Sequence, residues 1–170
     1  MPQNFAQYFR SLQILFFALL AGQILVTITL FTVYEPSTSG EFSDEETLRF
    51  IFPLLVIMLA GLAFFLYRKK LESARAQPTL KEKLMDYRVA GVLKWAPIES
   101  ATLISVVLFF ISGKQYYLYA AIAIIAIFAT QFPSRQRLVN ELDLSASEQM
   151  TLDDPNAEVA ESRNYRNYTN

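Results

Sequence analysis

The sequence predicts an all-α fold: a membrane-spanning four-helix bundle followed by a short polar C-terminal tail. Three observations predict it. The composition is apolar, with 53% hydrophobic and 14% aromatic residues against 18% charged, and the mean hydropathy is +0.26, which is membrane-like. Four runs approach the roughly 20 residues that a helix needs to cross a hydrocarbon core about 30 Å thick. The connections between these runs alternate in charge as loops on opposite sides of a membrane do.

The first span covers residues 12–34 (LQILFFALLAGQILVTITLFTVY) and the second residues 50–67 (FIFPLLVIMLAGLAFFLY), both without a charge. The third covers about 89–113 and the fourth 115–132 (QYYLYAAIAIIAIFATQF). The first run is far longer than the roughly 7 to 15 residues of a signal-peptide core, and no A-x-A pattern follows it, so it is expected to stay attached. The domain organisation follows as a four-span domain over 1–132 and a cytoplasmic, partly disordered tail over 133–170.

Loop charges predict the orientation. Between spans one and two stand Glu35, Glu41, Asp44, Glu45 and Glu46 against Arg49. Between spans two and three stand Arg68, Lys69, Lys70, Arg75, Lys81, Lys83 and Arg88, and Lys and Arg in short loops mark the cytoplasmic side. Arg10, Arg135 and Arg137 agree with both termini being cytoplasmic; Lys114 in the outer turn does not. Arg68, Lys69, Lys70, Lys94 and Trp95 are the expected interfacial anchors.

Function classes narrow by what is missing. With no cysteine and no histidine, thiol nucleophiles, imidazole acid/base catalysis and Cys/His metal sites are excluded. A net charge of -1 provides no field for nucleic acid. There is no Gly-rich phosphate loop, and neither cofactor, metal nor catalysis is expected.

Smaller features follow along the chain. Thr79-Leu80-Lys81-Glu82 has the form of a capping box and predicts a helix start near Leu80 that continues into the third span. The basic stretch there reads as a membrane anchor first and as a surface for anionic lipid or a partner second. Small residues (Ala18 with Gly22; Ala60, Gly61 and Ala63; Ala120, Ala121, Ala123, Ala126 and Ala129) read as helix-packing faces. In the tail, Leu138, Val139, Leu142, Leu144, Met150 and Leu152 suggest one or two short helices on the cytoplasmic surface, and RNYRNYTN at the end has a disordered composition. The Asn167-Tyr168-Thr169 sequon would lie on the wrong side for glycosylation.

The stretch LKWAPIESATLISVVLFF, residues 93–110, carries the candidate site. A charge in a membrane helix costs about 2.5 to 3.5 kcal/mol at the centre for Asp, Arg or Lys, and is a functional hypothesis by default. Glu99 would lie about 6 Å deep if Trp95 marks the interface, or about 15 Å deep if the boundary is near Val89; Lys94 favours the shallow placement. Helical spacing puts Trp95, Glu99 and Thr102 on one face, with Ser105 at its margin and Pro97 opposite. Pro97 leaves the carbonyl of Leu93 without its helical partner, which predicts a kink. Gln23 is the other deep polar side chain, and Arg10, Arg135 and Arg137 are within reach of a shallow Glu99. Glu99 then either locks the third helix in place through a hydrogen bond or ion pair, the reading preferred here, or serves proton or cation movement with Gln23 and Thr102.

Residues 80–110 (LKEKLMDYRVAGVLKWAPIESATLISVVLFF) and 141–159 (ELDLSASEQMTLDDPNAEV) resemble uncharacterised small four-helix integral membrane proteins of Bacteroidota-type bacteria. The resemblance implies a bacterial inner-membrane location and brings no catalytic or binding motif. No internal repeat relates residues 1–67 to 80–132, as a repeat-built transporter would show. The leading expectation is a non-enzymatic accessory or scaffold component, embedded in the lipid bilayer and meeting a membrane or cytoplasmic protein partner, with its oligomeric state open. The second is a small transporter or proton-coupled subunit using Glu99. A lipid enzyme built on Glu99, Lys94 and Tyr87 is a poor third.

Overall fold

A computed structural model describes residues 2–34, 45–154, 157 and 160–161. The acidic connection over 35–44, the terminal RNYRNYTN and its sequon lie outside the described residues. The chain is all-α, with six helices among the described residues: α1 (Phe5–Val33), α2 (Glu45–Arg75), α3 (Leu80–Ser112), α4 (Gln115–Ala129), α5 (Arg135–Leu142) and α6 (Ala146–Asp153). A two-residue antiparallel pairing joins β1 (Pro2–Gln3) to β2 (Ala160–Glu161), with Pro2 opposite Glu161.

Each long helix outruns its apolar span because polar residues start it outside the apolar run. Asn4 caps α1: its side-chain oxygen accepts from the Gln7 N–H at 2.9 Å, and the Gln7 side chain accepts from the Asn4 N–H. At α3 the expected cap is present, the Thr79 hydroxyl accepting from the Glu82 N–H at 3.3 Å. The helix then continues unbroken through Pro97 to Ser112. Gly113 ends it in a left-handed conformation, φ +68°. Only glycine suits this turn, since a Cβ there would collide with the Tyr34 hydroxyl.

Helix α4 closes at Ala129, earlier than the expected end at Phe132. Pro133 disfavours a helical Phe132, and the Thr130 hydroxyl donates back to the Ile127 carbonyl at 2.6 Å. The resulting 15 residues span about 22 Å. Helices α1, α2 and α3 are long and apolar enough to cross a membrane; α4 is apolar but shorter.

The chain forms two compact units. Unit 1 comprises residues 1–16, 67–91 and 133–170, and unit 2 comprises 17–66 and 92–132, so residues 1–16 and 67–91 group with the residues after 132. Unit 1 has a core of its own, with Tyr8, Leu12, Phe16, Ala74, Leu84, Leu138 and Leu142 buried. In unit 2, Phe52, Phe109 and Tyr117 form the core, with Phe52 and Tyr117 edge to face at 4.9 Å. Around that core large apolar side chains point outward, among them Leu25, Phe31, Leu54, Ile57, Phe65 and Ile122. A soluble surface does not carry so continuous an apolar cover, whereas lipid matches it.

Only part of the small-residue faces is packed: Ala63 and Ala121 are buried and Gly22 and Ala120 half-buried. Ala18, Ala60, Gly61, Ala123, Ala126 and Ala129 are exposed, and a Cβ on Gly22 or Gly61 would meet open space. On α4 the buried stripe is mostly large, with Tyr117, Ile124 and Phe128 beside the small Ala121 at helical spacing.

Candidate functional site

Unit 2 draws its buried polar side chains into a seam between α1 and α3. Gln23 is 1% and Thr102 0% exposed, and Thr27 and Ser105 are buried beside them. The Thr102 hydroxyl donates to Gln23 Oε1 at 2.9 Å and lies 3.3 Å from the Ile98 carbonyl. Thr27 and Ser105 donate to the carbonyls one turn back, Gln23 and Ala101, at 2.7 and 2.6 Å. These bonds keep each hydroxyl satisfied within its own helix where no water is at hand. Gln23 Nε2 has no partner among the described residues. Turning the amide over would let Nε2 donate to Thr102 and leave Oε1 single, so one amide end stays unpaired either way.

The structure thus brings two of the three candidate intramembrane residues together and leaves the third apart. Glu99 is half-buried and has no hydrogen-bond or ion-pair partner among the described residues. Within unit 1, Arg135 binds Asp153 at 2.6 Å. Trp95 is 3% exposed, packed inside the protein. Lys94 is half-buried, Arg68 and Lys69 are exposed, and Lys70 pairs with Asp86 at 2.8 Å. Pro97 sits inside α3 without ending it.

Unit 1 holds a polar cluster that sequence reasoning missed. Glu141 on α5 accepts from the Tyr87 hydroxyl of α3 at 2.7 Å and from the Tyr67 hydroxyl of α2. Its backbone carbonyl accepts from Arg75 Nε at 2.6 Å. Tyr8 donates to the Leu84 carbonyl at 2.6 Å. Burial and the Glu141 carboxylate push the Tyr87 hydroxyl far above its ordinary pKa, and burial does the same to Tyr8 despite the charge of Arg88. Both stay neutral donors at any physiological pH.

Two ion pairs complete this clamp. Lys83 on α3 binds Glu148 on α6 at 2.7 Å, and the Ser145 N–H also donates to Glu148 within a capping box. Asp86 accepts from Lys70, Gln77 and Ser73. Burial alone would raise both carboxyls, but these donors outweigh it and hold both below the ordinary carboxylate range. A depressed folded-state pKa stabilises above the unfolded pKa, and that stability is lost as pH falls through the folded value. Amide protection in α6, relative to the intrinsic exchange rate at each pH, is therefore expected to be flat from neutral pH down to the ordinary carboxylate range and to fall only below it. Loss of protection already between pH 7 and pH 6 would contradict these assignments.

Among the described residues no group of three or more acidic side chains could hold a metal ion. Three helices long and apolar enough to cross a membrane, together with the apolar cover of unit 2, mark the chain as a membrane protein. No protein-family model matches the chain, and neither a curated protein nor a solved structure similar to it was found.

Proposed function

We propose that the protein is a non-enzymatic accessory or scaffold component of a membrane, with α4 as a fourth span and both termini cytoplasmic. The observation that carries this reading is where the polar chemistry goes. In unit 2 it closes on itself, Thr102 on Gln23 and each remaining buried hydroxyl on its own helix, so it holds helices together. In unit 1 it ties the tail helices to the end of α2 and the start of α3, which makes a folded polar platform.

Charge distribution supports the orientation. Apart from Arg49, Lys94 and Lys114, every Lys and Arg of the described residues belongs to unit 1, and such an excess marks the cytoplasmic side. The short α4 fits a bilayer that thins locally or that flanking residues help to match. A bacterial inner membrane is the location implied by the resemblance of residues 80–110 and 141–159.

A partner test decides the reading directly. Tagged full-length protein, purified from native membranes in mild detergent, is expected to retain another protein in stoichiometric amount, identified by mass spectrometry. Recovery of this chain alone as a defined oligomer would count against it. The second reading, a small transporter, draws on the unpaired amide end of Gln23 and the unpaired Glu99; its prediction is loss of activity in Glu99→Gln with the amount of folded protein unchanged.

A further inference from the structure

The unexplained group in unit 2 is the Glu99 carboxylate. It lies seven residues beyond Val92, where unit 2 begins on α3, which is about 10 Å along the helix. On α3 it stands at the edge of the packed face: Trp95 and Thr102, one turn to either side, are buried, whereas Val92, Ala96, Ser100 and Val107 are exposed and Leu103 is half-exposed. The Ser100 hydroxyl is turned inward to its own helix, donating to the Ala96 carbonyl at 2.9 Å. Glu99 is therefore the one acidic acceptor on an otherwise apolar face with small residues at 96 and 100, where another backbone can come close.

We propose that this face of α3 docks a transmembrane helix of a different membrane protein, one that carries a lysine or arginine at the depth of Glu99. The proposal rests on the accessory reading and names the chemistry of its partner. Charge complementarity selects the occupant, because a carboxylate within a bilayer is held by a cation or by convergent donors, and acyl chains offer neither. A second copy is a poor match. Among the described residues of unit 2 the cations are Arg49 at the start of α2, Lys114 in the α3–α4 turn, and Lys94, which is already engaged within its own chain. Two copies related by a two-fold axis along this face would set Glu99 against Glu99, and like charges repel.

The test uses the full chain and a defined probe. The chain has no cysteine, so Arg49→Cys carries a single donor fluorophore. Acceptor-labelled leucine–alanine helices of about 22 residues carry one lysine, leucine or glutamate about 10 Å from one end. All are reconstituted in phosphatidylcholine vesicles, and association is read by energy transfer. The lysine helix is expected to bind at least about tenfold more tightly than the leucine helix, a difference of about 1.4 kcal/mol, with the glutamate helix weakest. Glu99→Gln is expected to remove the preference, and Glu99→Lys to reverse it toward glutamate. Equal binding of lysine and leucine helices, or a lysine preference that survives in a folded Glu99→Gln chain, overturns the proposal. So does energy transfer between two labelled copies that the lysine helix does not displace. Should either variant fail to fold, the three helices against the unsubstituted position 99 still decide. Failure here leaves the accessory reading standing, because that reading fails on different results, recovery of this chain alone from native membranes or ion flux that depends on Glu99.

Discussion

Glu141→Ala is expected to release α5 and α6 from unit 1 while unit 2 keeps its helices. The substitution removes the acceptor of the Tyr87 hydroxyl, at 2.7 Å, and of the Tyr67 hydroxyl. Tyr87 is buried, and a buried donor left single costs about 1 to 3 kcal/mol, more when its lost partner was charged. With both hydroxyls affected the expected loss is about 3 kcal/mol, a large part of what holds a small unit together. Amide exchange in α5 should accelerate about a hundredfold, and limited proteolysis should cut within 135–153. Glu141→Gln keeps an acceptor and should lose about half as much. Unchanged α5 protection in Glu141→Ala would show that Leu138 and Leu142, both buried, hold the tail without the polar cluster.

The second large effect is expected in the seam of unit 2. Thr102→Val removes the donor to Gln23 Oε1 and leaves the whole buried amide without a side-chain partner, an expected loss of about 2 kcal/mol. Adding Gln23→Leu should recover most of that loss, because replacing both partners by apolar groups of similar shape is near neutral. The coupling between the two positions should be about 1 kcal/mol, in the range measured for polar pairs inside membrane proteins. Reversible unfolding of the single and double variants in mixed micelles gives the cycle. A double variant as unstable as the sum of the singles would mean that the two residues do not act as a pair.

Much of the architecture is legible along the chain, and the reasons are local. A run such as residues 12–34 has no stable home in water, so its helix follows from bilayer thickness. The start of α3 near Leu80 follows from Thr79 and Glu82, three residues apart. Helix α6 carried the same kind of signal, Ser145 with Glu148, which became a full capping box. What could not be read is pairing at a distance. Lys83 meets Glu148 and Tyr87 meets Glu141 across 65 and 54 residues of sequence, and spacing along one helix does not encode this. Small-residue patterns misled for a related reason: Ala123, Ala126 and Ala129 share a composition with packed faces but stand on the exposed side of α4. Of the candidate site, Gln23 and Thr102 were identified as deep polar residues, but only the fold reveals that they bond each other and that Glu99 remains outside the pair.

On the reading proposed above, the polar groups of unit 2 fasten helices and do not conduct. Proton and cation flux into liposomes containing the purified full-length protein tests it most directly, run beside Glu99→Gln at equal amounts of folded protein. Flux at the level of protein-free liposomes for both chains is the predicted result. Flux through the unsubstituted protein that Glu99→Gln abolishes would contradict the account and establish transport as the function.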